Sequence, residues 1–172
     1  FIITPDNHYR VLSCFDSVAY PGAHTHIRTI HGVNENMGVD WTTYVSNTNF
    51  FGWFGSAALP NDQLVATNLY INDATDSERT WLFKIDSDGS TIWRRDMYQP
   101  EEDDQISRLF TVIPTSDGGF LCGGVAFRPG KSRHWVVKLD SMGCLIPGCD
   151  TIGVVDGIAP EGYAPAQILL TL

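Results

Sequence analysis

Basic residues are scarce in this chain. It has 11 Lys and Arg against 20 Asp and Glu, which gives a formal net charge of −9. Proteins bind phosphate backbones through clustered Lys and Arg, so this balance argues against a nucleic-acid partner. The 172 residues also lack an apolar run long enough for a transmembrane helix, so the sequence predicts no membrane span.

Helical periodicity and catalytic signatures are missing as well. No stretch combines apolar residues at helical spacing with helix caps over three turns. The sequence has no Gly-x-Ser-x-Gly elbow, no phosphate-binding loop and no His-Glu-x-x-His motif. Val, Ile, Thr, Trp and Phe instead recur in short runs between turns rich in Gly, Pro, Asn and Asp, which predicts an all-β fold.

The chain contains an internal repeat. The motif Trp-Leu-Phe-Lys-Ile-Asp-Ser-Asp-Gly at residues 81–89 returns as Trp-Val-Val-Lys-Leu-Asp-Ser-Met-Gly at residues 135–143. Pro60 and Pro114 show the same spacing, and Pro5 opens a fainter third copy. A repeat of about this length, built from short strands and polar turns, is typical of bladed β-structures.

Each repeat is expected to form four strands. In the middle repeat they are predicted at residues 50–59, 63–71, 80–86 and 91–97. In the first repeat, residues 26–31 correspond to the third strand. Trp41 corresponds to Trp93, which follows the Gly89 turn in the middle repeat. Gly89 supplies the positive φ of a tight hairpin, and the aspartates of the turn can accept hydrogen bonds from their own backbone.

The resulting prediction is a β-propeller-like region of about three four-stranded blades at residues 1–150. Its units are residues 1–49, 50–104 and 105–149, and residues 151–172 read as a linker towards a further domain. Complete propellers typically have 4–8 blades, so we expect a partial propeller. Either the chain is part of a longer protein, which we favour, or blades of another chain complete the ring. A β-sandwich or solenoid is the alternative fold.

Four cysteines bear on the redox environment. Cys144 and Cys149 flank a short loop that a disulfide can close, and such bonds are typical of secreted proteins. Cys14 and Cys122 occupy corresponding second strands. They can form a bridge or remain buried free thiols, and the sequence leaves both options open.

Two segments contain candidate metal ligands. The acidic run at residues 101–104 is best explained as a solvated loop, with weak Ca²⁺ binding by Glu102, Asp103 and Asp104 as the alternative. His24 and His26 share one face of an extended strand near His31, an arrangement that can bind Zn²⁺. Without a third ligand at a defined spacing, surface histidines are the favoured interpretation. No cofactor is expected.

The repeat motifs resemble a known family. Residues 81–93, 115–124 and 135–143 resemble the β-propeller-type repeats of large secreted Bacteroidota proteins. Residues 144–150 resemble the end of the final repeat in those proteins. There a linker commonly leads to a C-terminal sorting domain for the type IX secretion system, a domain that this sequence does not contain. The resemblance implies secretion or display on the outer cell surface, and it supplies no catalytic residues.

The expected function is that of a non-enzymatic binding or structural module within a larger protein or assembly. Its partners would be other proteins or the remaining blades of the same protein, with glycans as a further candidate. The alternative is a glycan-acting propeller hydrolase or lyase, which would need two carboxylates facing one pocket. Asp86–Trp93 partly resembles the Asp-box of sialidase-like propellers, but Ser87 lies one residue too close to Asp88. A structural hairpin with a core Trp explains that segment better.

Overall fold

A computed structural model describes residues 2–5, 7–19, 23–46, 50–72, 77–98, 106–128 and 131–145. It gives the backbone alone at residues 14–19, 23–28, 45–46, 50–51, 53–54, 72, 128 and 131. Within these ranges there is no α-helix, as expected, and the one helical element is a 3₁₀ turn at Pro60–Asp62. The strands are β1 Ile2–Ile3, β2 Tyr9–Ala19, β3 Ala23–Val33, β4 Val39–Ser46, β5 Phe50–Ala58, β6 Leu64–Asn72, β7 Ser77–Ile85, β8 Thr91–Met97, β9 Ile106–Pro114, β10 Phe120–Arg128 and β11 Lys131–Leu139.

The strands form three consecutive antiparallel meanders. The first meander, β1–β4, is a sheet of its own. The second meander, β5–β8, and the third meander, β9–β11, belong to one second sheet. Within that sheet they are joined only by one parallel pair of residues, Glu78 and Ile106. The all-β prediction is therefore confirmed, and the described strands form two open sheets rather than a closed ring.

The strands predicted for the middle repeat are all present. The second strand begins one residue later than predicted, at Leu64, and the fourth matches at both ends. The third begins three residues earlier, at Ser77, because it pairs with β6 along its whole length through Asn72. Short β-branched and aromatic runs between turn residues thus predict the strands well.

The turn that follows the third strand of the first and second meanders recurs after β11, the last described strand of the third meander. In the second meander, Asp86 N–H donates to Ser90 O and Gly89 N–H donates to Asp86 O. The turn after β11 has the same pattern at Asp140 and Gly143, and the turn before β4 has it at Asn34 and Met37. The residue with positive φ is Gly89 (87°), Gly143 (73°) and, in the first meander, Met37 (62°). These three residues are therefore structurally equivalent.

Two hydrophobic clusters lie between successive meanders. The cluster between the first and second meanders contains Ile30, Leu64, Ala66, Tyr70, Trp81, Phe83 and Ile85. The cluster between the second and third contains Leu59, Val65, Leu82, Trp93, Met97, Leu109, Val112, Phe120, Cys122, Trp135, Val137 and Leu139. Alternate residues of β6 enter opposite clusters, because successive side chains of a strand point to opposite faces. The second meander is thus covered on both faces.

The buried tryptophans and one cysteine match the sequence analysis. Trp81, Trp93 and Trp135 are core residues, as their repeat positions predict. Cys122 is a buried free thiol, so the bridge to Cys14 that the sequence left open is not formed. Burial raises the pKa of the Cys122 thiol to about 12.

Candidate functional site

Most of the residues that the sequence offered as site candidates lie outside the described part of the chain. This applies to Glu102, Asp103 and Asp104, and also to Cys149, so the disulfide to Cys144 stays a prediction. His24 and His26 lie on β3, where only the backbone is described. In the part of the chain whose side chains are described, no three His, Cys, Asp or Glu residues form a group that could hold a metal ion.

The first junction between meanders is built around Trp41. The indole of Trp41 packs against Gly32 of its own sheet and reaches the turn of the second meander at Gly89. Its Nε1–H donates to the backbone oxygen of Ser87 at 2.6 Å, and Thr43 Oγ1 donates to Gly89 O. A Cβ at Gly89 would lie 2.5 Å from Trp41 Cε3, so the indole requires glycine at this position.

The second junction repeats this contact with different residues. Trp93 of β8 lies against the turn at Gly143, where a Cβ would be 2.8 Å from Cη2 of the indole. Phe120 of β10 packs edge-on to the same ring, with 5.7 Å between the centroids. The guanidinium of Arg95 lies 5.5 Å from the ring centroid, and burial lowers the Arg95 pKa while Asp140 opposes that shift. Both junctions therefore place a Trp of one meander on the glycine turn of the next.

A buried charged cluster adds to the first junction. His8 Nδ1 lies 2.9 Å from Asp62 Oδ2, and Arg10 donates to the backbone oxygen of Asp62 at 3.2 Å. Arg10 is 2 % exposed and Asp62 is 8 % exposed. Burial by itself would raise the pKa of the Asp62 carboxyl, but the hydrogen bond from Thr4 and the positive charge of Arg10 hold that pKa below its usual range. The cluster joins the β1–β2 turn to the β5–β6 turn.

Other buried or half-buried carboxylates also bind arginine. Asp96 Oδ2 accepts from Arg79 Nη1 at 3.1 Å, and Arg79 also lies 4.0 Å from the ring centroid of Tyr98. Burial by itself would lower the pKa of Arg79, but the Asp96 carboxylate raises it above its usual range. Glu78 accepts from Arg108 Nε at 2.6 Å, which links β7 to β9 beside the one parallel pair of strands. These pairs connect strands, and the last one connects two meanders.

A chain of hydroxyl groups and one imidazole lies on the outer face of the first meander. His31 Nε2 is 3.1 Å from Ser13 Oγ and 2.9 Å from Thr29 Oγ1, while Nδ1 is 2.9 Å from Thr42 Oγ1. A serine beside an imidazole can form a nucleophile and its base. The third member here is a hydroxyl, however, instead of the carboxylate that orients the base in catalytic triads. The arrangement fits cross-strand pairing within the sheet.

Sequence reasoning missed most of these contacts. The sequence alone does not mark Asp62, His8 or Arg10 as residues that interact with one another. The parallel between Pro5-Asp-Asn-His and Pro60-Asn-Asp-Gln was the available signal, because equivalent turns of neighbouring repeats come close when the repeats stack. That signal predicts that the turns meet, but it does not identify which charges pair.

The comparisons with known proteins give no family for this chain. No protein-family model matches it, and no curated protein matches it. Among solved structures, one similar chain comes from the crystal structure of a protein of unknown function from Bacteroides caccae. It has 8% sequence identity and a TM-score of 0.38 over 75% of this chain. This chain spans 57% of the length of that protein. Among the described residues, no helix is both long and apolar enough to cross a membrane.

Proposed function

We propose that this chain is a non-enzymatic repeat module of a β-propeller-like array, with a binding or structural role in a larger protein or assembly. The observation that carries the proposal is the recurring contact between Trp and a glycine turn. It occurs once between the first and second meanders, at Trp41 and Gly89, and once between the second and third, at Trp93 and Gly143. A module in which one interface recurs can be extended by further units.

The register of the sheets supports blade-like stacking. In the second meander, Leu64 pairs with Ile85 and Ala66 with Phe83, and this face packs on the first meander. In the third meander, the equivalent pairs place Phe120 opposite Leu139 and Cys122 opposite Val137, and they pack on the second. The same face of each unit therefore meets its predecessor, as in propellers and other stacked repeats.

The use of buried charge supports a structural role. Asp62 and Arg10 connect the first and second meanders, and Glu78 and Arg108 connect the second and third. A carboxylate that already binds a guanidinium is stabilised in its charged form, whereas a general acid needs a raised pKa. Location on the outer cell surface or in the medium belongs to the same proposal, and it rests on the sequence resemblance and on the predicted disulfide between Cys144 and Cys149.

Two measurements test this proposal. The first incubates the purified chain with a panel of polysaccharides and measures released reducing ends, for which we expect no release above buffer. The second treats intact source cells with protease and follows the protein by immunoblot, and we expect the protein to be cleaved or to be found in the medium. Polysaccharide turnover that Glu102→Gln removes and Glu35→Gln keeps would establish the hydrolase instead, since Glu35 is an exposed residue outside the acidic run.

A further inference from the structure

A buried arginine at the second junction has no described carboxylate in contact with it. Arg95 of β8 is 4 % exposed, and it alternates with Trp93 and Met97 along the strand, so its side chain shares their face towards the third meander. Its Nη1 donates to the backbone oxygen of Arg94 at 3.2 Å, and its Nε has no partner among the described residues. In the described part of the chain, no Asp or Glu oxygen lies within 4.0 Å of the guanidinium. A buried guanidinium keeps its charge, so it needs acceptors to offset the lost hydration.

The indole beside Arg95 has a second donor that needs an acceptor. Trp93 is 5 % exposed, and its Nε1–H finds no acceptor within the described ranges of the chain. The guanidinium carbon of Arg95 lies 5.5 Å from the centroid of this indole, so the two groups are neighbours on one face of the strand. An indole N–H and a guanidinium donate hydrogen bonds and accept none. The two side chains together therefore suit a ligand that accepts hydrogen bonds.

The first junction provides protein acceptors for the corresponding donors. There the Nε1–H of Trp41 donates to the backbone oxygen of Ser87 at 2.6 Å. Arg10, whose guanidinium carbon lies 5.2 Å from the centroid of that indole, donates to the backbone oxygen of Asp62 and is 3.8 Å from its carboxylate. At the second junction, no described residue makes either kind of contact with Trp93 Nε1 or with the neighbouring guanidinium Nε. The two junctions thus share an indole and an arginine but differ in what accepts their hydrogen bonds.

The described surface of the third meander that faces Arg95 is apolar. The side chains that it contributes to the cluster at this junction are Leu109, Val112, Phe120, Cys122, Trp135, Val137 and Leu139. Asp140 acts on Arg95 through its charge, but its Oδ1 already accepts from the backbone N–H groups of Met142 and Cys144. Buried donors that no protein group satisfies are explained in other proteins by a bound water or ion. Because the guanidinium is charged, an anion would offset both its unmet hydrogen bond and its charge, whereas water would offset only the first.

We propose that the second junction binds a small monovalent anion, such as chloride, between the guanidinium of Arg95 and the indole N–H of Trp93. The anion accepts from both donors, and the apolar side chains of the third meander keep water away from it. Lys84 pairs with Trp93 across β7 and β8 and brings a second positive charge to the same face. Sulfate fits less well, because two donors leave most of its oxygen atoms without a partner. The bound anion stabilises the contact between the second and third meanders, whatever the module itself binds.

The first test measures the stability of the purified chain as chloride is added. Urea unfolding is repeated in sodium chloride up to about 0.5 M, and sodium gluconate keeps the ionic strength constant, because gluconate is too large for the site. We expect the equilibrium constant for unfolding to fall with chloride along a binding curve, by about tenfold when chloride is about ten times its Kd. Unfolding that does not depend on chloride overturns the proposal and leaves the stacking module standing.

The second test removes the charge at the site. Arg95→Met keeps an apolar stem of similar length and is expected to abolish the chloride dependence. In gluconate alone, this variant should be at least as stable as wild type, because apolar atoms replace a buried charge without a partner. Arg94→Met is the matched control. Arg94 is the adjacent residue of β8, its guanidinium carbon lies 4.2 Å from the ring centroid of Trp81 on the opposite face, and its removal should leave the chloride dependence unchanged.

The third test removes the indole donor. Trp93→Phe keeps an aromatic ring but lacks the N–H, so we expect the Kd for chloride to rise about tenfold. Circular dichroism shows whether each variant is folded before its chloride dependence is measured. Three results overturn the proposal: a chloride response that persists in Arg95→Met, a response that is lost equally in Arg94→Met, or an unchanged Kd in Trp93→Phe. Loss of stability by Arg95→Met in both salts to the same extent would instead show a purely structural arginine, and this result also overturns the proposal.

Discussion

At the scale of single residues, two glycines satisfy two requirements at once. Gly89 and Gly143 adopt positive φ, which non-glycine residues reach only at a cost, and each also contacts the indole of a neighbouring meander. Met37 has nearly the same φ, and its side chain is 72 % exposed. The turn geometry alone therefore tolerates a side chain, and the Trp contact is what demands glycine.

Gly143→Ala is expected to lower the free energy of unfolding by about 2–4 kcal/mol, since overpacking against Trp93 adds to the cost of positive φ. Gly118→Ala is the matched control. It has φ of 80° and no atom within 4 Å of the added Cβ, so we expect a loss of only about 1–2 kcal/mol. Urea unfolding measures both, and equal losses would contradict a role for the indole.

Asp62 should make the protein sensitive to acid. Its folded-state pKa lies below the unfolded value, so its stabilising effect is present above the unfolded pKa of about 4 and is lost as the pH falls through the folded pKa. Asp62→Asn removes the nearer of the two carboxylate charges that act on the buried Arg10, the other being Asp40, and should cost about 3 kcal/mol at pH 7.

The difference between wild type and Asp62→Asn should shrink as urea unfolding is repeated from pH 7 down to pH 3. Asp88→Asn is the control, because Asp88 is a fully exposed turn residue and its removal should change stability little. A difference that does not depend on pH would show that the carboxylate charge of Asp62 is unimportant.

At the scale of elements, each junction couples the last strand of one meander to a turn of the next. Trp93→Ala should cost about 3–5 kcal/mol, because it removes a large buried side chain. In the Trp93→Ala background the two closest contacts of a Cβ at position 143 are lost and only the 3.2 Å contact to Arg95 Cγ remains. Gly143→Ala should then cost little more than the φ penalty of about 1–2 kcal/mol. A double-mutant cycle measured by urea unfolding checks this coupling, and strict additivity would contradict it.

The strands and the core tryptophans could be predicted because both depend on local pattern. Trp81 and Trp135 hold the same position in successive repeats, and Trp93 holds the position that Trp41 has in the first repeat, so their places within strand-forming runs mark them as core. The turn at Asn34 shows the limit. There the residue with positive φ is Met37, at the position that Gly89 and Gly143 hold in the other turns, and residue type alone does not select methionine for that conformation.

The junctions could not be predicted residue by residue. Arg10 and Asp62 belong to different meanders, and their pairing depends on how far one sheet slides over the next. No short-range pattern encodes that displacement. The same holds for Trp41, whose repeat position follows from the sequence but whose hydrogen bond to the Ser87 oxygen does not.

At the scale of the whole molecule, burial is greatest around the second meander, which packs on both neighbours. Cys122 of β10 lies in the cluster between the second and third meanders and reports on the integrity of that contact. Any opening of the second junction would expose its sulfur to solvent.

Native protein at pH 8 should therefore resist iodoacetamide at Cys122, because burial blocks access and a pKa of about 12 leaves little thiolate. Unfolded protein should react at least about 100-fold faster, since an unperturbed thiol has a pKa near 8.5. Peptide mass spectrometry measures the labelling. Trp93→Ala should raise the native rate by loosening the junction, whereas equal rates in native and unfolded wild type would contradict the buried position.

The division of the Trp and glycine contact between adjoining meanders has an evolutionary consequence. The indole is encoded in one repeat and its glycine turn in the next, so a tandem duplication of a single repeat copies both halves together. The duplicated repeat then already carries the Trp and the glycine turn that contact its two neighbours. Unequal recombination between repeats can therefore lengthen or shorten such a gene without new interface mutations.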